Sequence, residues 1–301
     1  MNMSALPRIS TSNEHGPLSF NVDEGRRLLF FICVTALCLV MASVIIAVIL
    51  RDPTTPRLRI STIIQDLLMF IVPAVATAVI ITRRPAQLLM IDSKPTAFGV
   101  MLTLLAVLVM IPFMNQVVAW NESLHLPEFM AGIEEWMRNA EENAGAMTQK
   151  LMGTDSVGSI VMSVLIIGLL AGFSEELFFR GALQRLLSTA GMNLHVAVWL
   201  AAFIFSAVHM QFYGFVPRML LGAMFGYMAV WSGCLWLAVI AHVANNTLVI
   251  IAQAVSASGG FDVNQVAADH TPLSAAMAIV SLLATLAIMA LIRKCGLETR
   301  S

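Results

Sequence analysis

The run from Leu28 to Leu50 contains no charged residue. At about 1.5 Å of rise per residue it is long enough, as a helix, to cross roughly 30 Å of hydrocarbon. A bilayer core offers the backbone no water, so a segment that sits in it has to satisfy its N–H and C=O groups internally, as a helix does. The run is too long for the core of a signal peptide and has no small-x-small cleavage site before Arg51, so it reads as a retained anchor. Apolar stretches of the same kind recur at about 60–82, 97–119, 157–173 (continuing to 187), 194–212, 216–230, 235–257 and 273–292. Pro73 and Pro112 fall inside two of them, where neighbouring helices can satisfy the freed backbone groups. The expected fold is therefore all-α, a polytopic transmembrane bundle of about eight helices.

Composition agrees. Of 301 residues, 58% are hydrophobic and 12% charged, where a soluble domain carries about 25% charged. A net charge of −1 with no Lys/Arg stripe excludes a nucleic-acid binder. Cys33, Cys38, Cys234 and Cys295 lie in or beside apolar runs without C-x-x-C spacing, which implies neither a disulfide framework nor a zinc ribbon.

No internal repeat divides the chain. It reads as a polar N-terminus (1–27), a set of membrane helices with an amphipathic segment (28–156), a core (157–257), and a last loop, helix and tail (258–301). In the amphipathic segment, 126–151, apolar residues recur with helical period from Leu126 and Phe129 through Ile133 and Met137 to Met147 and Leu151, on an otherwise acidic helix. Pro127 suits its first turn. The segment is expected to lie along the membrane surface or fold over a neighbour, as a lid on lateral entry. The excess of Lys and Arg on one set of loops places both termini in the cytoplasm, with Arg51, Arg57 and Arg59 pulling the other way. The compact design with short loops suits a prokaryotic cytoplasmic membrane.

Ionisable groups at membrane depth are costly and point to function. They concentrate in the second half of the chain. Glu176 and Arg180 stand at i,i+4 and can pair on one helix face. Glu175 is rotated about 100° from Glu176 and has no local cation, the setting of a general base. His209 ends the stretch Phe205-Ser206-Ala207-Val208-His209 and can offer a neutral imidazole to a metal or a water. His242 and Asn246, again at i,i+4, can hold a water or an oxyanion, with Asn245 a weaker candidate. His195 reads as a loop or interface residue, His15, His125 and His270 as solvated, and Asp66 as a helix-start carboxylate rather than a proton relay.

Taken in order, Glu175-Glu176-x-x-x-Arg180, Phe205-x-x-x-His209 and His242-x-x-x-Asn246 resemble the three-motif signature of the CPBP family. That family groups type II CAAX prenyl endopeptidases with bacterial bacteriocin-processing and immunity proteins. The resemblance covers about residues 157–257. It implies an intramembrane endopeptidase acting on a membrane-associated protein or peptide. Glu175 would activate the hydrolytic water, and His209 would orient that water or bind a metal. His242 and Asn246 would stabilise the oxyanion, while Glu176 and Arg180 brace the site. Two routes stay open: a divalent metal such as zinc on Glu175, His209 and His242, or metal-free catalysis with Glu175 as base. No H-E-x-x-H, G-x-S-x-G or pair of intramembrane aspartates suggests another protease class. The alternatives are a non-catalytic immunity or scaffolding member of the same family, and a proton-coupled transporter, which the lack of two similar halves disfavours.

Overall fold

A computed structural model describes residues 24–153, 156–259 and 272–298. Most of the polar N-terminus and of the 258–271 loop, with His15 and His270, lie outside the described residues, as do both chain ends. Among the described residues the regular structure is helical throughout.

The helices are α1 (Glu24–Ile49), α2 (Thr55–Ile81), α3 (Ala97–Val109), α4 (Ile111–Glu122), α5 (Ala131–Met152), α6 (Val157–Thr189), α7 (Leu194–Ala207), α8 (Phe215–Ser232), α9 (Leu235–Ala257) and α10 (Pro272–Glu298). By length and apolarity, α1, α2, α6, α9 and α10 can each cross a membrane, and α3 with α4, bent by 43°, makes a sixth span. The bend falls where Pro112 begins α4 and withholds one backbone N–H. The expected eight spans are thus all helical, but two are not free-standing. At 14 residues, α7 reaches only about 21 Å. α8 carries Arg218 and is sheathed by protein, with Gly222 to Gly226 and Met228 to Val230 buried, so it has less need of an apolar surface.

α6 lies at the centre, with α2 on one side and α9 on the other, while α8 packs against α7, α9 and α10. Lipid tails are as apolar as Leu, so close packing rather than water exclusion joins such helices. Small residues accordingly fill the interfaces: Ala42, Ala74, Ala78, Ala106, Ala197 and Ala238 are fully buried. Large ones such as Leu37, Val40, Val44, Val280 and Leu283 face outward. Phe31, Phe70, Phe178, Phe179 and Phe205 form a chain of ring contacts, 4.9 to 5.9 Å between centroids, across α1, α2, α6 and α7.

Tertiary bonds tie the connections into two ends. At one, Leu235 N donates to Met90 O (2.9 Å) and Trp236 Nε1 to Ile91 O (3.1 Å). At the other, Asn121 bonds Phe212 O and Val216 N across the 208–214 turn. The amphipathic segment lies over that same turn. A single 3₁₀ turn, Glu128–Met130, comes after Pro127 and leads into α5. Glu141 accepts from Tyr213 N (3.2 Å), Arg138 sits 4.6 Å over the Tyr213 ring, and Trp136 packs on Phe212. The segment does fold over a neighbour, at the end where α7 delivers His209.

Candidate active site

Helix α6 carries Glu175 and Glu176 on a short α-helical piece, Gly172–Glu176, between two wide, π-helical stretches, Val164–Ala171 and Leu177–Leu183, the second of which holds Arg180. A π turn inserts one residue into the α-helical repeat and recurs at functional sites. α2 has a third such stretch, Asp66–Ile71, packed against the Gly172–Glu176 piece.

Close approach of α6 and α9 depends on Gly172. A Cβ there would stand 3.1 Å from Val243 Cγ2 and 3.3 Å from the Val243 backbone nitrogen. One helical turn on, Glu176 consequently reaches His242: its Oε1 accepts from His242 Nδ1 at 2.7 Å. The same oxygen accepts from Arg180 Nη1 at 2.7 Å, and Arg180 Nη2 donates to Gly222 O at 2.9 Å. Gly222 leaves room for the guanidinium, which lies 3.1 Å from where its Cβ would be. Arg180 also lies 4.6 Å over the Phe205 ring. Glu176 and Arg180 are fully buried, and the pair expected from their i,i+4 spacing forms. An unpaired charge in this setting would be very costly, so each needs the other.

Glu176 fixes the tautomer of His242. A carboxylate only accepts, so Nδ1 carries the hydrogen and Nε2 is left for the site. Nε2 faces the other carboxylate, with Glu175 Oε2 at 3.7 Å. The imidazole is held between the Phe225 face (5.2 Å, stacked) and the Phe205 edge (5.8 Å). Glu175 keeps 13% of its side chain exposed and pairs with no Arg or Lys among the described residues, in keeping with its rotation away from Arg180.

His209 ends the turn after α7. Its Nδ1 donates to Phe205 O, 2.7 Å away, and a carbonyl oxygen cannot donate, so Nε2 is a free acceptor. Met210, next along, takes a left-handed φ of 53°, which turns the chain sharply away from α7. Glu175 and His242 both act electrostatically on His209. Asn246 donates through Nδ2 to Ile167 O (3.0 Å) inside the first wide stretch of α6, and its Oδ1 accepts from Asn245 at 3.4 Å. One of its two amide hydrogens remains available. The three motifs therefore converge from α6, α7 and α9.

Among the described residues no three His, Cys, Asp or Glu side chains are grouped as a metal ion requires. In both histidines Nδ1 is engaged, by Glu176 in one and by Phe205 O in the other, and Nε2 is the nitrogen left for a water or a metal.

Two residues escaped the sequence reading. Asp66 is not a helix-start carboxylate. It sits inside α2, 1% exposed, facing Ser174 and Glu175. Ser174, wholly buried, donates to Ala171 O at 3.1 Å. Asp66 precedes Pro73 in a run that looks like one more apolar span, and only packing against α6 reveals its neighbour. His195, expected at a loop or interface, bonds the Tyr227 hydroxyl at 2.8 Å. His125 is exposed and pairs with Glu134.

Geometry of this kind defines a class: a helical membrane protein with carboxylates, imidazoles and an amide gathered at membrane depth. The comparisons narrow it. Residues 157–248 match the family model for type II CAAX prenyl endopeptidases, Rce1-like, over the helices that carry all three motifs. This bears out the CPBP resemblance for that part of the chain. An uncharacterised protein of Bacillus subtilis (strain 168), YpbD, is 26% identical over 114 residues, which cover 36% of this chain and 53% of that protein. The chain thus spans about half the length of the curated relative it matches. No solved structure matches.

Proposed function

We propose that this protein is an intramembrane endopeptidase that hydrolyses a peptide bond in a membrane-associated protein or peptide. The observation that carries the reading is the convergence of Glu175, His209 and His242 from three helices within the segment matched to the CAAX endopeptidase family.

A water placed between Glu175 and His209 donates one hydrogen to the Glu175 carboxylate and the other to Nε2 of His209. Its lone pair is then free for the substrate carbonyl. As the carbon–oxygen bond forms, Glu175 takes the proton, and the carbonyl becomes an oxyanion. The free amide hydrogen of Asn246 stabilises that charge, while His242, its Nδ1 hydrogen kept on Glu176, stands beside Glu175 through Nε2. Glu175 then returns its proton to the departing amine nitrogen as the carbon–nitrogen bond breaks. Glu176 and Arg180 hold His242 in one tautomer and position, as the carboxylate of a catalytic triad does for its imidazole.

The test compares new peptide termini in membranes from cells carrying the wild type and Glu175→Gln at matched abundance. Termini that require Glu175 support the endopeptidase and name its substrates. Identical sets of termini would remove Glu175 as the base, and if both proteins also gave the same phenotype, a non-catalytic immunity or scaffolding role would replace this reading.

A further inference from the structure

Asp66 belongs to α2, well before the segment that matches the family model. It is buried at the start of the wide stretch Asp66–Ile71, and its Oδ2 has no hydrogen-bond partner. Its carboxyl meets the Ser174 hydroxyl and faces Glu175. A buried carboxylate without a cation is costly, and a second carboxylate alongside adds like-charge repulsion.

The hydrogen bonding bears on which form Asp66 takes. Ser174 has one hydroxyl hydrogen and two oxygen neighbours, Ala171 O at 3.1 Å and the Asp66 carboxyl. That single hydrogen serves either Ala171 O or Asp66, and both contacts are satisfied together only when the Asp66 carboxyl brings a hydrogen of its own.

We propose that Asp66 is a positioning residue of the site, held as a neutral carboxylic acid that donates to Ser174. It fixes the Ala171–Glu175 turn and, being uncharged, sets no like charge beside Glu175. The N-terminal half of the chain thereby supplies a working part of a centre whose motifs lie in the second half. The inference deepens the endopeptidase reading, and its kinetic arm rests on that reading. Its spectroscopic arm does not.

The spectroscopic test uses the full-length protein in lipid vesicles at neutral pH. Infrared absorption above the amide band, with its shift on exchange into heavy water, reports protonated carboxyl groups. A band present in the wild type, retained in Glu175→Gln and lost in Asp66→Asn is expected. No such band in the wild type, or one that survives Asp66→Asn, would overturn the proposal whether or not the protein is a protease.

The kinetic test uses a peptide built on a Glu175-dependent terminus. Asn keeps a donor at this position and Leu does not. Asp66→Asn should retain most of the turnover. Asp66→Leu and Ser174→Ala should lose between about ten- and a hundredfold in kcat with KM little changed. Wild-type turnover in Asp66→Leu, or an Asp66→Asn as inactive as Glu175→Gln, would overturn it. Should Asp66→Leu fail to insert, the Asn variant and the infrared band still decide.

Discussion

α6–α9 and the helices before them are built from similar residues and do different work. In α6–α9 polar and charged groups are buried in a connected chain: Gly222 O, Arg180, Glu176, His242, then Glu175. In α1–α4 the buried surface is chiefly small and apolar, with polar exceptions such as Thr77, and Asp66 alone of them is tied to the site, through Ser174 on α6. The difference shows how a membrane chain divides its tasks. The early helices and α10 provide mass and a lipid-facing wall, Asp66 of α2 apart. The later ones use their small residues to bring charged side chains together.

The sharpest way to break this contrast is at the chemistry. Glu175→Gln should cost about a hundred- to ten-thousandfold in cleavage while abundance and insertion hold. A variant that cleaves normally would mean that the buried chain serves only structure.

A second prediction concerns the charges that brace His242. Arg180→Met leaves Glu176 buried without its cation and should destabilise the protein by about 3–5 kcal/mol. The double variant Arg180→Met, Glu176→Leu strands neither charge and should be milder than Arg180→Met alone. Unfolding in detergent, monitored by circular dichroism, measures the order of the two. Equal losses would argue that the pair is not coupled.

Glycines set the two regions against each other directly. A Cβ on Gly172 meets the Val243 backbone, so Gly172→Ala should destabilise, by about 1–3 kcal/mol. Nothing lies within 4 Å of a Cβ on Gly145 in α5, so Gly145→Ala should stabilise, by up to about 1 kcal/mol, through helix propensity. The same measurement reads both, and the opposite signs are the prediction.

The smallest effect is expected at the amphipathic segment. Glu134 accepts from Arg138 at 2.6 Å, bonds His125, and takes the Leu126 N–H at 2.9 Å. The Arg138 bond chiefly, then His125 and Leu126, lowers its pKa to about 2. A folded-state pKa below the unfolded value stabilises above the unfolded pKa, and that contribution is lost as pH falls through the folded one. The start of α5 should therefore hold its place at neutral pH and loosen only as pH drops from about 4.5 towards 2. Trp136 fluorescence against pH reports this, and Glu134→Gln should abolish the change.

Much of this is legible in the sequence, for identifiable reasons. Uninterrupted apolar runs fix helices because the bilayer allows little else. The Glu176–Arg180 pair can be read because i,i+4 spacing is local geometry. The contact of His242 with Glu176 cannot, since it depends on how closely Gly172 lets α9 approach. Asp66 escapes for the same reason: its neighbour is more than a hundred positions away. The tautomer of each imidazole is not legible either, because the Glu176 and Phe205 partners that set it are tertiary contacts. The number of free-standing spans is overestimated because helix α8 is shielded by protein, a tertiary fact.

The wide turns in α2 and α6 have a consequence for how such a chain changes. A helix that has absorbed one extra residue in place, without breaking, keeps the side chains beyond the insertion in phase. Residues 164–171 then act as a removable shim. Taking out a single residue there and restoring the ordinary repeat would leave Glu175 and Glu176 facing His242, whereas restoring that repeat with every residue kept would swing them about 100° around the helix axis. Sequences that keep all three motifs but lack one residue in this stretch would be expected to keep both the architecture and the reaction, with the stretch wound as an ordinary α-helix.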